Sequence, residues 1–196
     1  MKRFFPLLPL LLLPALPAHA DLILGAQVSK QYLDLRYSDM LGSTEDSADT
    51  RAGLGLIVGF GQPGGGSRMT AEWSGYEIGD EAELNLLNFS YSYFFPALSS
   101  SSALKLRPFA GGELGFGWLD VAAQSLYREG DDSGLLFGAR VGLNLAISER
   151  AEIELGARYS VVNLDAALSG KLPGAGVAHY EVENNKGWWL GFNIGL

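Results

Sequence analysis

Glycine alternates with bulky apolar residues over residues 53–61, where Gly53, Gly55, Gly59 and Gly61 interleave with Leu54, Leu56, Val58 and Phe60. A period of two belongs to a strand, because successive side chains of an extended chain point to opposite faces. The same period runs through 137–147, 153–161 and 188–196. In each run one face is wholly apolar, and the other mixes glycine, Asn and Ser with a few charges. A soluble sandwich buries its bulky apolar face and covers the other with long polar side chains. Here the polar face has little bulk, which suits a transmembrane barrel with apolar lipid-facing side chains and a narrow polar lumen. Glycines on the inner face let a small barrel close without overfilling its interior.

The pattern predicts eight strands, at 22–32, 51–61, 69–78, 83–94, 104–118, 134–147, 152–165 and 187–196. An even number is what a single-chain bacterial barrel requires. The connections 62–68, 96–103 and 148–151 are short, whereas 33–50, 119–133 and 166–186 are long; the connection after Ile78 is short on the long-loop side. Short periplasmic turns and long outer loops are the expected asymmetry, with both termini in the periplasm. Aromatic residues fall into two interfacial girdles, Phe60, Tyr91, Tyr93, Phe94, Phe95 and Phe109 at the inner rim and Trp73, Trp118, Tyr159 and Trp188 at the outer. The expected fold is therefore all-β, a transmembrane antiparallel up-and-down β-barrel.

The N-terminus sets the compartment. Lys2 and Arg3 precede an apolar run over 4–16 that ends in Ala18-His19-Ala20, the pattern of a secretory signal peptide with its cleavage site. Pro6, Pro9, Pro14 and Pro17 break the run, and it falls short of the roughly 20 residues of a membrane helix. The expected organisation is a signal peptide at 1–20 and one barrel domain at 21–196, exported to the cell outer membrane. Cleavage removes two cations and no acid, so the net charge of −8 becomes −10. The chain has no cysteine, which excludes a lipidated cysteine, a disulfide and thiol chemistry. No later stretch reaches about 18 consecutive apolar residues, so any membrane crossing is made by strands. An acidic chain without a basic stripe argues against nucleic acid as a partner.

Arg107-Pro108-Phe109-Ala110-Gly111-Gly112-Glu113-Leu114-Gly115, the run 137–144 and Glu154-Leu155-Gly156-Ala157-Arg158-Tyr159 resemble the small outer-membrane β-barrel family typified by the OmpA transmembrane domain and OmpX-like proteins. The resemblance covers the signal peptide and most of the mature chain. It implies eight strands, a lumen filled by side chains and variable outer loops, with outer-membrane lipids, lipopolysaccharide and the barrel-insertion machinery as partners. The chain departs from the family by ending in Leu196, where an aromatic residue is usual. No cell-wall anchoring role is carried over.

Parity places Glu72, Glu113, Arg140, Glu154 and Arg158 on inner faces. They are expected to meet as a lumen charge network, because an eight-stranded barrel is just wide enough for side chains to fill it and an unpaired charge there is costly. The alternative is a gated polar pathway. The outer loops are acidic, with Glu45, Asp46 and Asp49, then Asp80 and Glu81, Glu129, Asp131 and Asp132, and Glu181 and Glu183. The run 129–134 lacks the ligand spacing of a calcium loop, and neither a metal site nor a cofactor is expected. His179 is the single histidine of the mature chain and the one plausible general base. The Ser99–Ser102 run falls in a periplasmic turn on the other side of the membrane, so no catalytic residues are assigned.

The expected function is non-enzymatic: envelope structure or surface interaction through the outer loops. Rival readings are an OmpW-like barrel for small hydrophobic molecules, against which the polar inner faces argue, a lipid A-modifying enzyme using His179, and a soluble secreted β-sandwich.

Overall fold

The computed structural model describes residues 21–39, 42–50, 52–61, 66–98, 104–172 and 176–196, the side chains of 45–49 apart. The predicted signal peptide and the Ser99–Ser102 run lie outside the described residues. Among the described residues nine strands form one antiparallel sheet: β1 (Asp21–Asp39), β2 (Gly42–Asp49), β3 (Gly53–Gly61), β4 (Gly66–Ile78), β5 (Ala82–Phe94), β6 (Lys105–Val121), β7 (Gly130–Ala146), β8 (Ala151–Ser169) and β9 (Val177–Gly195). From β3 onward each strand pairs with the next, and β9 returns to β1, from Ile23 opposite Gly195 to Ser38 opposite His179, so the sheet closes in a ring. β2 and β3 share the other edge of β1, β2 along residues 32–39 and β3 along 21–29. Between them the Gln31 amide donates to Thr50 Oγ1 at 3.0 Å, and Thr50 bridges to Ile78.

The β4–β5 turn is tight because Gly79 takes φ +60°, a left-handed conformation open to a residue without a Cβ. The start of β1 and the C-terminal residue lie at one rim, where the Leu196 amide donates to the Leu22 carbonyl at 2.8 Å. This is the terminal rim. The opposite, hairpin rim carries the β1–β2 hairpin and the β4–β5 turn.

Apolar residues change sides part-way along the strands. In β8 near the terminal rim, Leu155, Tyr159 and Val161 face out while Glu152, Glu154, Arg158 and Ser160 are buried inside. From Val162 onward the order inverts: Val162, Leu164, Ala166 and Leu168 are buried, and Asn163 and Asp165 are exposed. In β1 Leu24 and Val28 are exposed, whereas Leu33 is buried. The hairpin half of the ring is thus filled by one apolar cluster that includes Leu33, Leu84, Leu119, Leu164 and Leu168. Tyr180 joins it, and there burial and then Glu81 push its phenol up to about 12.

This inversion corrects three predicted connections. Most of 33–50 is strand, forming the end of β1 and all of β2; β6 runs on to Val121 and β7 begins at Gly130; β8 runs to Ser169 and β9 begins at Val177. The strands continue because their inner faces continue to bury apolar side chains, while their outer faces become charged. A reading that follows the apolar outer face ends each strand too early.

The girdle assignment also changes at two positions. Phe94 and Phe109 point inward, ring centroids 5.3 Å apart, and Trp189 packs 6.1 Å from Phe109. Phe94 alternates with exposed Tyr93 and Phe95, so strand parity assigns it to the interior.

Candidate functional site

The terminal half of the interior is polar and charged. β4 contributes Arg68 and Glu72, β6 Arg107 and Glu113, β7 Arg140, and β8 Glu152, Glu154 and Arg158; all eight are buried. Each sits at a position whose alternate neighbours along the strand face out, so one extended backbone suffices to deliver every charge to the interior.

The five residues expected from parity are all inside, in two groups. Arg158 donates to Glu72 Oε2 at 2.7 Å and lies 4.0 Å from Glu113. Gln27 donates to the other oxygen of Glu72 at 2.7 Å, and the Ser160 hydroxyl to Glu113. Arg140 donates to Glu154 Oε1 at 2.8 Å and to the Ser90 hydroxyl, also at 2.8 Å. Arg68 reaches Glu154 at 3.2 Å and Glu152 at 2.5 Å.

Trp189 joins the two groups. Its indole N–H donates to Glu154 Oε1 at 3.1 Å, and its ring lies 4.4 Å from the Arg140 guanidinium and 4.8 Å from that of Arg158. An aromatic face attracts a guanidinium through its quadrupole, and more strongly away from water. The indole is fully buried, and Gly156 makes room for it: a Cβ there would overlap the ring. The inner-face glycines work in the same way elsewhere, as Gly142 lies under Phe109 and Gly53 under Tyr76.

Arg68, Arg107, Glu152 and Trp189 extend the predicted set. Arg68 falls in a predicted turn, yet it shares parity with Glu72. Glu152 shares parity with Glu154, and Trp189 has the parity opposite to the outward-facing Trp188. Strand parity is the signal that reaches them.

The arrangement pairs its carboxylates with arginines. Each of the four carboxylates has an arginine within 4.0 Å. Among the described residues no group of three or more His, Cys, Asp or Glu side chains is placed to hold a metal ion.

The remaining candidates lie on the outside of the hairpin half. Asp131, Asp132, Glu181 and Glu183, expected in loops, are in strands β7 and β9. Glu181 and Glu183 flank Arg36 at 3.4 and 3.1 Å, and Asp132 accepts the Asp165 amide at 2.6 Å. His179 Nδ1 bonds Asp165 at 2.8 Å on this exposed face. Ser38 is its register partner on β1, but the two side chains make no hydrogen bond with each other. The pair is a surface contact without an activated hydroxyl.

No protein-family model matches the chain, and no curated protein is similar to it in sequence. Solved structures do match. The chain is similar to Neisserial surface protein A, with a TM-score of 0.56 and 15% identity over 87% of this chain and 97% of that one. It is similar to the outer membrane protein OprG from Pseudomonas aeruginosa, with a TM-score of 0.55 and 15% identity over 93% and 99%. The likeness is one of fold: a closed antiparallel ring of the kind found in small outer-membrane β-barrel proteins.

Proposed function

We propose that this chain is exported through its N-terminal segment and forms a β-barrel in the bacterial outer membrane, where it serves envelope structure and surface contact, not catalysis. β2 and β3 occupy one position along β1, so the ring reads as eight-stranded, as in the OmpA and OmpX-like barrels. The terminal rim faces the periplasm, and the charged hairpin half stands above the membrane. Lipids and lipopolysaccharide surround the belt, the insertion machinery assembles it, and the outer hairpins meet surface partners.

The observation that carries this reading is the inverted polarity of the terminal half. Leu54 is 73% exposed, Leu56 63% and Phe137 60%, while arginines and glutamates fill the inside. In water such a belt would be a large exposed apolar patch; in a bilayer it is the lipid-facing surface.

Cells expressing the full chain are expected to yield the protein in the outer-membrane fraction, migrating differently on SDS gels with and without boiling. Leu155→Arg, in the middle of the belt, is expected to destabilise the folded form by roughly 2–4 kcal/mol. Recovery of the chain as a soluble periplasmic protein would overturn the proposal.

A second reading, a barrel for small hydrophobic molecules, gains from the apolar cluster inside the hairpin half. The polar inner faces that argue against it in the sequence occupy only the terminal half. That cluster is packed, however, with Leu33, Leu84, Leu119 and Leu164 showing no exposed surface, which argues against an open path for ions. Planar bilayers holding the protein are therefore expected to show no conductance. Stepwise currents, lost on Arg140→Ala, would favour transport instead.

A further inference from the structure

Among the described residues eight charged side chains are buried in the interior; seven of these are ion-paired and Arg107 is not. β6 turns it inward with 8% of its surface exposed, and it forms no hydrogen bond. Its register partner on β7 is Asn144, itself 1% exposed, whose amide nitrogen and oxygen both lack a partner. The next residue across the sheet, Glu154 on β8, is already engaged by Arg68, Arg140 and Trp189. The carboxylate nearest in register therefore has three donors without Arg107.

One pleat further into the ring on β6 stands Phe109, packed with Phe94 and Trp189. Arg107 and Asn144 lie between this aromatic cluster and the terminal rim. Without a protein partner the Arg107 guanidinium meets water, since none of its nitrogens is sealed off, whereas the buried Asn144 amide, with neither atom bonded, needs a partner. A single oxyanion supplies the counter-charge that Arg107 lacks and an acceptor for Asn144 Nδ2, while Oδ1, itself an acceptor, takes its bond from water or another donor. The planar guanidinium presents two parallel N–H groups to two oxygens of one carboxylate or phosphate, which a spherical chloride cannot match. Asn144, the register partner of Arg107, offers its Nδ2 as a further donor.

We propose that Arg107 and Asn144 form an anion site at the terminal rim that takes a carboxylate or phosphate group. The site is built by the interior of the ring and does not depend on what surrounds the outside.

The mature chain, folded in detergent micelles, is titrated calorimetrically with sodium phosphate and with sodium acetate, at ionic strength held constant with sodium chloride. If the protein proves soluble, the same titration runs without detergent, so the location of the chain and the site are tested separately. Saturable binding at one site is expected for at least one probe; saturation by phosphate alone assigns a phosphate group, and saturation by acetate a carboxylate. Arg107→Gln is expected to weaken binding about tenfold or more, the equivalent of one hydrogen bond to a charged group. Asn144→Leu is expected to weaken it several-fold. If Arg107→Gln does not fold, Arg107→Lys keeps the charge without the planar fork and is expected to bind more weakly than the parent. No saturation with either probe, or an isotherm unchanged by these substitutions, overturns the proposal and leaves Arg107 as a distant counter-charge to the glutamates.

Discussion

Glu154→Ala is expected to lower stability by about 3–5 kcal/mol, the cost of breaking a buried ion pair by removing one partner. The carboxylate accepts from Arg140 at 2.8 Å, Arg68 at 3.2 Å and the Trp189 indole at 3.1 Å. Its removal leaves Arg140 without an ion-pair partner, while Arg68 keeps Glu152. Urea unfolding, read on unboiled SDS gels as the loss of the compact species, measures the effect. Arg140→Met in the same chain is expected to recover part of the loss, since an apolar replacement of a whole buried pair is often neutral. Parent-like stability of Glu154→Ala would mean that water, not protein, compensates these arginines, and the interior would then be wetter than the described packing.

Gly156→Ala is expected to cost about 3 kcal/mol, at the upper end of what overpacking a tight interior costs. The new methyl group would occupy the space of the Trp189 ring. The indole would have to leave its place between Arg140 and Arg158 and release Glu154. Gly112→Ala is the control, because the atom nearest its Cβ is the Gly138 carbonyl oxygen at 3.8 Å, and its effect should stay within about 0.5 kcal/mol. Trp189→Phe combined with Gly156→Ala relieves the overlap, so a double-mutant cycle between the two should show strong coupling. Additive effects would sink the idea that this glycine exists to seat this indole.

Both predictions turn on residues of unequal legibility. Glu154 and Arg158 are visible in the sequence, because each interrupts an apolar alternation at the same parity. The pairing is not visible: Glu72 meets Arg158 across 86 positions of chain, and only ring closure brings β4 to face β8. Trp188 and Trp189 are chemically identical neighbours, and only strand parity, set by the outward Leu190, Phe192 and Ile194, assigns the second to the interior.

The early strand ends have a different cause. β8 keeps a period of two through all of its 19 residues, but the apolar residues move from the odd positions to the even ones at Val161 and Val162. The shift is present in the sequence, in Leu164, Ala166 and Leu168 set against Asn163 and Asp165. It becomes interpretable once the outside is seen as two environments, an apolar belt below and charged strand extensions above.

The sequence by itself determined the local geometry: extended strands, their approximate number, the tight turn at Gly79 and which residues share a face. Those follow from period two and from glycine's freedom at positive φ, both local properties of the chain. Tertiary structure alone decided the partners. Closure of β9 on β1 sets which charges face each other, assigns Glu154 to three donors and leaves Arg107 with none, because distances across the interior depend on the circumference and register of the whole ring, which no single segment encodes.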